Sequence, residues 1–372
     1  MKNVFKEIAR RLVSQLGFRL LTQPQTLAYL GPYQRAQQPA QRVATPAVPD
    51  ATDPTKILFP PQETAIQPAY VWDCPGGTSG TAPARLLRNG SVQIGKNVLC
   101  TDYHADEALA GILKTSKRAA VTAAALVAPF SHVPHPDMIW GYYDFLLLVG
   151  AKLCRILAAV PELPAAEAVV AYPLFDTAYE REFLGVLGFR PEYVFDSRRY
   201  DVRAPRVLLA NSGDWYYPSP ADVGLLRERL APLIREPAKK YARLYISRTG
   251  RRRIANEAAL VALLRKYDFF VVEDRPRSLA EQLTLYHHAS FILGPHGASF
   301  ANIIWCQPGA HLYELFAPAY APDYFLYLAG LTGLTYTASH QATAGDAQLP
   351  PSAQDIRVSI PDLERSLDAL LK

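Results

Sequence analysis

The stretch between residues 243 and 316 constrains the fold most, because short apolar runs alternate there with segments of helical periodicity. Four apolar runs and three helix-like segments fit into about 75 residues. Strands that alternate with helices in this way are typical of a parallel sheet, so we predict a Rossmann-like α/β lobe here. The predicted strands are Arg243–Ser247, Phe269–Glu273, Phe291–Leu293 and His311–Phe316, and the predicted helices are Asn256–Tyr267, Ser278–His288 and Ala298–Cys306.

The first half of the chain predicts a second α/β region. Between Arg85 and Thr101, apolar and polar residues alternate around Asn89-Gly90, a dipeptide that favours a hairpin turn. The long apolar stretch from Asp137 to Leu157 predicts a buried helix. Shorter apolar runs, separated by helix-like segments, predict strands of a parallel sheet. These strands are Val169–Pro173, Tyr193–Phe195 and Arg206–Ala210.

A chain of 372 residues is long enough for two domains. Residues 31–70 are rich in Pro, Gln and Ala and lack periodicity, which indicates an extended arm without a core of its own. Ser219 is placed to cap a helix at the start of the second block. We therefore predict an amphipathic helix and arm over residues 1–70, an N-terminal lobe over 71–218 and a C-terminal lobe over 219–354. Residues 355–372 complete the chain with a helix, Pro361–Leu371, packed near the lobe junction.

The N-terminal segment from Lys2 to Leu21 is amphipathic, since apolar residues recur at helical spacing between five Lys or Arg residues. Such a helix suits an anionic membrane surface and equally the protein's own body, so both interpretations stay open. No apolar run reaches 18 residues, and charges interrupt every stretch that could serve as a signal peptide. We expect a cytoplasmic protein, with peripheral contact at the inner face of the cell membrane through residues 2–21 as the alternative.

Composition narrows the classes of partner. The net charge of +5 is small, and no arginine run is interleaved with aromatic residues, so nucleic acid is not expected as a partner. The four cysteines lie far apart and form no Cys-x-x-Cys pair, which argues against a zinc site and a disulfide scaffold. We interpret Cys74, Cys100, Cys154 and Cys306 as reduced, buried thiols.

Polar groups follow three predicted strands of the second block. Arg248 follows the first strand, Gly294-Pro295-His296-Gly297 follows the third, and Glu314 lies near the end of the fourth. Because the carboxyl ends of parallel strands meet at one edge of a sheet, we expect these groups to lie close together. Three further arginines, Arg251, Arg252 and Arg253, extend the basic loop after Arg248.

Each of these groups suits a nucleoside diphosphate. Arginines offer planar, permanently charged forks to phosphate oxygens. Gly294 and Gly297 permit unusual backbone angles and close approach of a ligand, and the helix that follows presents unpaired amides to an anion. The carboxylate of Glu314, costly to bury without a partner, is suited to ribose hydroxyls. The edge of this sheet is therefore the predicted nucleotide site.

The same residues resemble glycosyltransferase family 61, also known as DUF563. The matching motifs are Ser247-Arg248 at a strand end, Arg253-Ile254-Ala255-Asn256-Glu257 at a helix start, and Gly294-Pro295-His296-Gly297-Ala298 followed by Asn302. Bacterial relatives are often described as capsular polysaccharide biosynthesis proteins, and plant relatives include arabinosyl- and xylosyltransferases. The resemblance is specific over residues 243–316 and vaguer over residues 85–157.

The resemblance implies a GT-B fold of two Rossmann-like lobes, inversion at the anomeric carbon, and no required metal or cofactor. It implies a nucleotide-sugar donor and a glycan or lipid-linked glycan acceptor in surface polysaccharide synthesis. Arg248 and Arg253 would contact the diphosphate, and Glu314 would take the ribose. The remaining donor-site residues implied by the resemblance are Gly294, His296, Gly297 and Ala298 against the phosphates or donor sugar, and Asn256, Gln282 and Asn302, which mainly hold the loops in place.

One position departs from the family pattern. Relatives carry an aromatic-His-aromatic patch at the start of an N-lobe helix, and Asp144 stands here where a histidine is expected. An inverting transfer needs a base for the proton of the acceptor hydroxyl. We choose Asp144 as this base and His296 as the second catalytic candidate. The first lobe offers three further candidates: His104, His132 and His135.

Two other functions stay open. A protein that binds nucleotide or glycan without catalysis is compatible with the departure at Asp144. Gly297-Ala298-Ser299 beside His296 also resembles, faintly, the nucleophile elbow of α/β hydrolases, although the basic loop has no role in acyl transfer. No Asp-x-Asp motif is present, so we assign no metal ligands.

Overall fold

The computed structural model of the chain describes residues 15, 17–76, 83–102, 117–129, 141–214, 216–346 and 348–371. Contacts between residues divide the chain into two compact units. Unit 1 comprises Met1–Gln41 and Ile66–Arg229, and unit 2 comprises Arg42–Ala65 and Leu230–Lys372. The chain therefore enters unit 2 briefly, returns to unit 1, and enters unit 2 again for the second block.

The elements of both units are numbered in chain order. The strands are β1 Arg19–Leu20, β2 Gln34–Gln38, β3 Gln41–Thr45, β4 Val48–Asp50, β5 Asp53–Phe59, β6 Gln62–Ile66, β7 Ala69–Pro75, β8 Ala84–Leu86, β9 Val92–Ile94, β10 Asn97–Val98, β11 Ala119–Thr122, β12 Leu126–Ala128, β13 Val169–Tyr172, β14 Val194–Asp196, β15 Tyr200–Ala204, β16 Arg206–Ala210, β17 Arg243–Ile246, β18 Phe270–Val272, β19 Phe291–Pro295, β20 His311–Phe316, β21 Thr335–His340, β22 Ala342–Ala344 and β23 Asp355–Arg357. The helices are α1 Gln23–Leu30, α2 Tyr142–Asp144, α3 Ala151–Ala159, α4 Ala178–Val186, α5 Pro220–Leu230, α6 Glu257–Arg265, α7 Leu279–His287, α8 Tyr324–Thr332 and α9 Ile360–Leu371, and the 3-10 helices are Gly31–Tyr33, Pro191–Tyr193, Ala231–Leu233, Ala298–Trp305 and Pro351–Ala353.

Unit 1 contains two six-stranded sheets, with the strand orders β1-β10-β9-β8-β15-β11 and β14-β13-β12-β16-β7-β2. The predicted hairpin is confirmed, since Leu86 pairs with Val92 and Gly90 takes the positive φ of 88° that its turn requires. The predicted parallel strands are confirmed as β13, β14 and β16, joined through β12. Apolar residues of both sheets, among them Trp72, Leu86 and Leu209, share one core.

The buried helix predicted from Asp137 to Leu157 is present from Tyr142 onward, and residues 137–140 lie outside the described part of the chain. It consists of α2, a π-helical turn over Phe145–Gly150, and α3. Every residue from Phe145 to Leu157 is buried. A side chain at Gly150 would collide with the ring of Phe183, which packs 2.8 Å from the position of a Cβ atom.

Unit 2 is built on one seven-stranded sheet with the order β18-β17-β19-β20-β21-β4-β5. The strands from β17 to β21 run parallel, as does β4, and only the edge strand β5 is antiparallel. The four strands predicted between residues 243 and 316 are therefore confirmed. The sequence patterns did not predict β21 or the addition of β4 and β5 from the N-terminal segment.

Helices cover both faces of this sheet. Leu260 of α6 and Leu363 of α9 pack with Tyr245 and Tyr313 on one face. Leu326 of α8 packs with Phe316 on the other, because side chains alternate along a strand. The predicted α/β class is thus confirmed. The predicted final helix is present as α9, which packs against α6. Its predicted position near a lobe junction stays a prediction.

The segment predicted as an arm contributes strands to both units. Within residues 31–70, β2 joins a sheet of unit 1, and β4 with β5 joins the sheet of unit 2. Ser219 caps α5, since its hydroxyl accepts the amide of Asp222 at 3.0 Å. Contacts change from unit 1 to unit 2 at Leu230, at the end of this helix and after the predicted boundary of residue 219.

One predicted helix has a different form, since residues 298–305 make a 3-10 helix in place of the expected α-helix. This helix begins after Gly297, has eight residues and ends before Cys306. Among the helices within the described ranges, none combines the length and apolarity needed to span a membrane.

Candidate functional site

The strand order of unit 2 reverses beside β17. The chain runs from β17 to β18 on one side and then returns to β19 on the opposite side. Open parallel sheets bind ligands outside the carboxyl ends of their strands at such a switch point. Arg248 follows β17, and His296 with Gly297 follows β19, so the structure brings these three predicted residues together there.

Arg248 lies against the turn that follows β19. Its Nη1 donates a hydrogen bond to the carbonyl of His296 at 2.7 Å. A Cβ atom at Gly297 would stand only 1.8 Å from this Nη1, so any side chain there would displace the guanidinium. Gly297 has an extended φ of 180°, which any residue can adopt. The prediction that Gly297 supplies an unusual backbone angle is therefore wrong, and its role is to make room for Arg248.

Gly294 has a different role. It lies inside β19, where a Cβ atom would come within 2.8 Å of the carbonyl oxygen of Ile246 in β17. It too lacks a positive φ. Gly294 therefore permits close packing of neighbouring strands beneath the site, and the register places it beside Glu314 of β20.

The 3-10 helix after Gly297 begins without a side-chain cap and without an acidic residue in its first turn. The first amides of a helix have no partner inside the helix, so the helix N-terminus at Ala298 is favourable for binding an anion. Asn302, in contrast, is buried, and its Nδ2 donates to Oε1 of Gln282 in α7 at 3.2 Å. Asn302 also accepts from Nε1 of Trp305, so it anchors this helix, as does Gln282.

His296 and Glu314 form a buried pair. Nδ1 of His296 lies 2.5 Å from Oε1 of Glu314, and Oε2 of Glu314 accepts from the hydroxyl of Tyr336 at 2.7 Å. Because a carboxylate only accepts, Nδ1 carries the proton and Nε2 carries the lone pair. Glu314 has no exposed surface. The hydrogen bonds and burial of Glu314 favour a role in orienting His296 over the contact with ribose that the resemblance implies.

Aromatic rings enclose His296. The ring centroids of Phe316 and Phe325 both lie 5.3 Å from that of His296, and that of Tyr320 lies at 5.5 Å. Burial lowers the pKa of His296, and the nearby Arg252 and Arg248 act in the same direction against the raising effect of Glu314. The neutral imidazole is therefore the favoured form at neutral pH, with Nε2 unprotonated.

Arg253 and Asn256 bind another part of unit 2. The exposed guanidinium of Arg253 donates from Nε and Nη2 to Asp355 at 3.0 and 2.8 Å. Asn256 exchanges two hydrogen bonds with the backbone of Val358. Both residues fasten the start of α6 to the segment around β23, and the structure does not bring either of them to Arg248.

Arg252 is the site residue that sequence reasoning did not select. Only 8% of it is exposed, and its guanidinium lies 5.5 Å from the ring centroid of Tyr320. Burial and Arg248 lower the pKa of Arg252 and Glu314 raises it, and Arg252 in turn acts to lower the pKa of His296. No sequence signal distinguishes it from the neighbouring Arg251 and Arg253, because all three lie in one basic loop.

Asp144 lies in unit 1, at the last residue of α2. The backbone N–H of Gly141 donates to its Oδ2 at 3.0 Å. Burial raises the pKa of Asp144 to about 6, although this hydrogen bond acts in the opposite direction. Such a carboxylate is a stronger base than an exposed aspartate and is still ionised at neutral pH.

The remaining candidates for the base, His104, His132 and His135, lie outside the described residues. Within the described ranges, no cluster of His, Cys, Asp or Glu could hold a metal ion. All four cysteines, Cys74, Cys100, Cys154 and Cys306, are buried, and none of them is in a disulfide.

Comparison with known proteins gives one result. The family model of Glycosyltransferase 61 matches residues 108–313, which is more than half of the chain. No curated protein matches the chain. The matched range contains Asp144, Arg248, Arg252, Arg253 and His296 and ends one residue before Glu314. The chain therefore belongs to the glycosyltransferase 61 family.

Proposed function

We propose that this protein is an inverting, metal-independent glycosyltransferase of GT-B type that moves a sugar from a nucleotide-sugar donor to a hydroxyl of a glycan acceptor. The observation that carries the proposal is the guanidinium of Arg248 packed on Gly297. A permanent cation and the uncapped start of a 3-10 helix thereby meet at the switch point of a parallel sheet.

The chemistry of transfer fits this arrangement. The acceptor oxygen forms a bond to the anomeric carbon while the bond from that carbon to the diphosphate oxygen breaks, and negative charge develops on the departing diphosphate. Charged donors that are already in place stabilise such charge without reorganisation. Arg248 and the amides at Ala298 supply them, which is why we propose that no metal is required.

The proton of the acceptor hydroxyl needs a base. We propose Asp144 for this role, because its pKa of about 6 keeps it ionised at neutral pH yet basic enough to take a proton. His296, held by Glu314, presents an unprotonated Nε2 beside the donor and is the second catalytic residue. We propose that it contacts the donor sugar or its phosphates.

Two proposals concern acceptor and location. The resemblance to capsular polysaccharide proteins supports a surface glycan, free or lipid-linked, as acceptor, and a cytoplasmic location. The basic amphipathic segment of residues 2–21 supports peripheral contact with anionic lipid. Flotation with anionic vesicles tests this contact. Equal flotation of the full chain and a form that lacks residues 1–22 would contradict the proposed membrane contact.

A hydrolase is disfavoured by one observation. Ser299 is exposed and makes no hydrogen bond to His296 within the described residues, so it lacks the activation that a nucleophilic serine needs. A binding protein without catalysis is the remaining alternative. It predicts nucleotide binding with no turnover.

The proposed function is tested by melting the protein with UDP-, GDP-, CMP- and dTDP-sugars. A ligand at a hundred times its dissociation constant adds about 2.7 kcal/mol of stability, which a melting curve detects. Any stabilising donor is then followed for slow hydrolysis. We expect one donor class to stabilise the protein and to release nucleoside diphosphate. Stabilisation without release favours the binding protein. The absence of both stabilisation and release would overturn the proposed donor site.

A further inference from the structure

We propose that Arg252, whose backbone lies next to that of the surface residue Arg253, is the second arginine that binds the donor diphosphate, opposite Arg248. This inference rests on the proposed function and names a further binding residue within that site. Three independent features of Arg252 carry it: a buried charge that forms no ion pair within the described residues, a left-handed backbone, and its contact with Tyr320.

Arg252 forms no ion pair within the described residues, and Glu314, which raises the pKa of Arg252, is itself bonded to His296 and Tyr336. Nη1 donates to the carbonyl of Ser352 at 2.6 Å, and the buried Nε has no acceptor. A buried cation without a counter-ion is costly for a fold unless a ligand supplies the opposite charge. Burial lowers the pKa of Arg252 to about 10, so it remains a cation at neutral pH.

Two exposed arginines of unit 2, in contrast, form ion pairs. Arg253, with 58% of its side chain exposed, holds Asp355, and Arg275 holds Glu281 at 2.9 Å. Both arginines thus have a carboxylate partner although water can reach and solvate their charges. Arg248 and Arg252 are the more buried arginines of the basic loop, and within the described residues neither forms an ion pair.

The backbone of Arg252 has a φ of 59°, a left-handed conformation that is unfavourable for an arginine. Such conformations are energetically costly and persist where the surrounding structure holds them, often at ligand sites. Here the left-handed residue accompanies a change of direction, because Arg252 packs inward and Arg253 lies at the surface. The strain is thus associated with the placement of this guanidinium.

Tyr320 connects Arg252 to the site. The guanidinium lies over the ring of Tyr320, which in turn contacts the ring of His296. Arg248 approaches the same histidine through its carbonyl. Two like charges therefore flank His296, and repulsion by Arg248 adds to the lowering of the Arg252 pKa by burial. An anion with several oxygens, such as a diphosphate, would relieve this repulsion and accept hydrogen bonds from both guanidinium groups.

The test uses the full chain, with inorganic pyrophosphate and the diphosphates UDP, GDP, CDP and dTDP as probes in calorimetric titrations. Arg252→Gly removes the cation and keeps a residue that accepts the left-handed backbone, so it is expected to melt no lower than wild type. It should bind the preferred probe about ten- to a hundredfold more weakly. Arg252→Lys should recover part of this loss, because a point charge replaces the fork.

Arg253→Ala is the matched control. It removes an arginine from the adjacent position and should change probe affinity less than twofold. Equal affinity of Arg252→Gly and wild type, with Arg248→Ala still impaired, would overturn the inference and leave the proposed function standing. If no probe binds wild type, both the proposed function and the inference are overturned.

Discussion

The buried cations of unit 1 and the two arginines of the candidate site in unit 2 are compensated differently. In unit 1, Lys152 lies 2.8 Å from Asp102, and both side chains are 2% exposed. Arg155 lies 3.2 Å from Asp222, also buried. In unit 2, Arg248 and Arg252 face the carboxyl edge of the sheet without a carboxylate partner in the described part of the chain.

This difference separates structural charges from charges that await a ligand. A buried ion pair is balanced inside the protein, and its main consequence is the damage caused when one partner is removed. A buried arginine with free donors gains its counter-ion only when an anion binds. Changes in unit 1 should therefore affect folding, and changes at Arg248 should affect ligand binding.

The largest expected effect is on the stability of unit 1. Asp102→Asn leaves Lys152 buried without its counter-ion, which should lower the free energy of unfolding by about 3–5 kcal/mol. Urea denaturation measures this loss. The double variant Asp102→Asn with Lys152→Met removes both charges and should regain much of the stability. A loss below about 1 kcal/mol in the single variant would show that the pair is not the buried bridge described here.

The next effect compares two glycines on either side of His296. Gly297→Ala would push against the guanidinium of Arg248, a flexible group that can move away, and should weaken nucleotide binding about ten- to a hundredfold while the melting temperature changes little. Gly294→Ala would press on the backbone of Ile246 and should chiefly lower the melting temperature. Titration and melting of both variants separate the two roles.

A double-mutant cycle sharpens this prediction. If Gly297 acts only by making room for Arg248, then Gly297→Ala should cause no further loss of affinity in an Arg248→Ala background. Additive losses would mean that Gly297 contributes to the ligand site in its own right.

Local patterns predicted much of the fold and part of the site. The strands around Arg243 and His311 were predictable because apolar runs and turns are local signals. The addition of β4 and β5 to the sheet of unit 2 was not, because it depends on a pairing between Asp50 and Ala338 that are far apart in the chain. Cross-strand pairings of this kind leave no local periodicity.

The same limit applies to the arginines. The sequence places Arg252 and Arg253 side by side, and only the distant Asp355 decides which of them is held at the surface. Glu314 was correctly singled out as unusual in an apolar strand. Its partners, His296 and Tyr336, come from neighbouring strands, so its orienting role required the three-dimensional register.

The smallest effect concerns Asp144, the partly buried carboxylate of unit 1 that has no ion pair within the described residues. With its pKa raised to about 6, it is protonated below that pH and cannot accept a proton. The turnover rate should therefore fall about tenfold for each pH unit below 6. Asp144→Asn should remove this acid limb and leave a low, pH-independent residual rate.

Stability gives a second readout of the same group. Because the folded-state pKa of Asp144 exceeds its ordinary value of 3.8, the folded protein binds the proton more tightly than the unfolded chain. Its contribution to stability is therefore lost as the pH rises from about 4 to 6. Denaturation of wild type and Asp144→Asn across this pH window should show that the free energy of unfolding changes less with pH in the variant. Identical slopes would indicate that the carboxyl group is solvated.

The central claim is that the carboxyl edge of unit 2 binds the donor diphosphate through Arg248. Calorimetric titration of wild type and Arg248→Ala with the preferred nucleoside diphosphate, alongside melting curves, tests it most directly. We expect equal melting temperatures without ligand and affinity about ten- to a hundredfold weaker in the variant, with partial recovery in Arg248→Lys. An Arg248→Ala protein that melts normally and binds the nucleotide as tightly as wild type would contradict the claim.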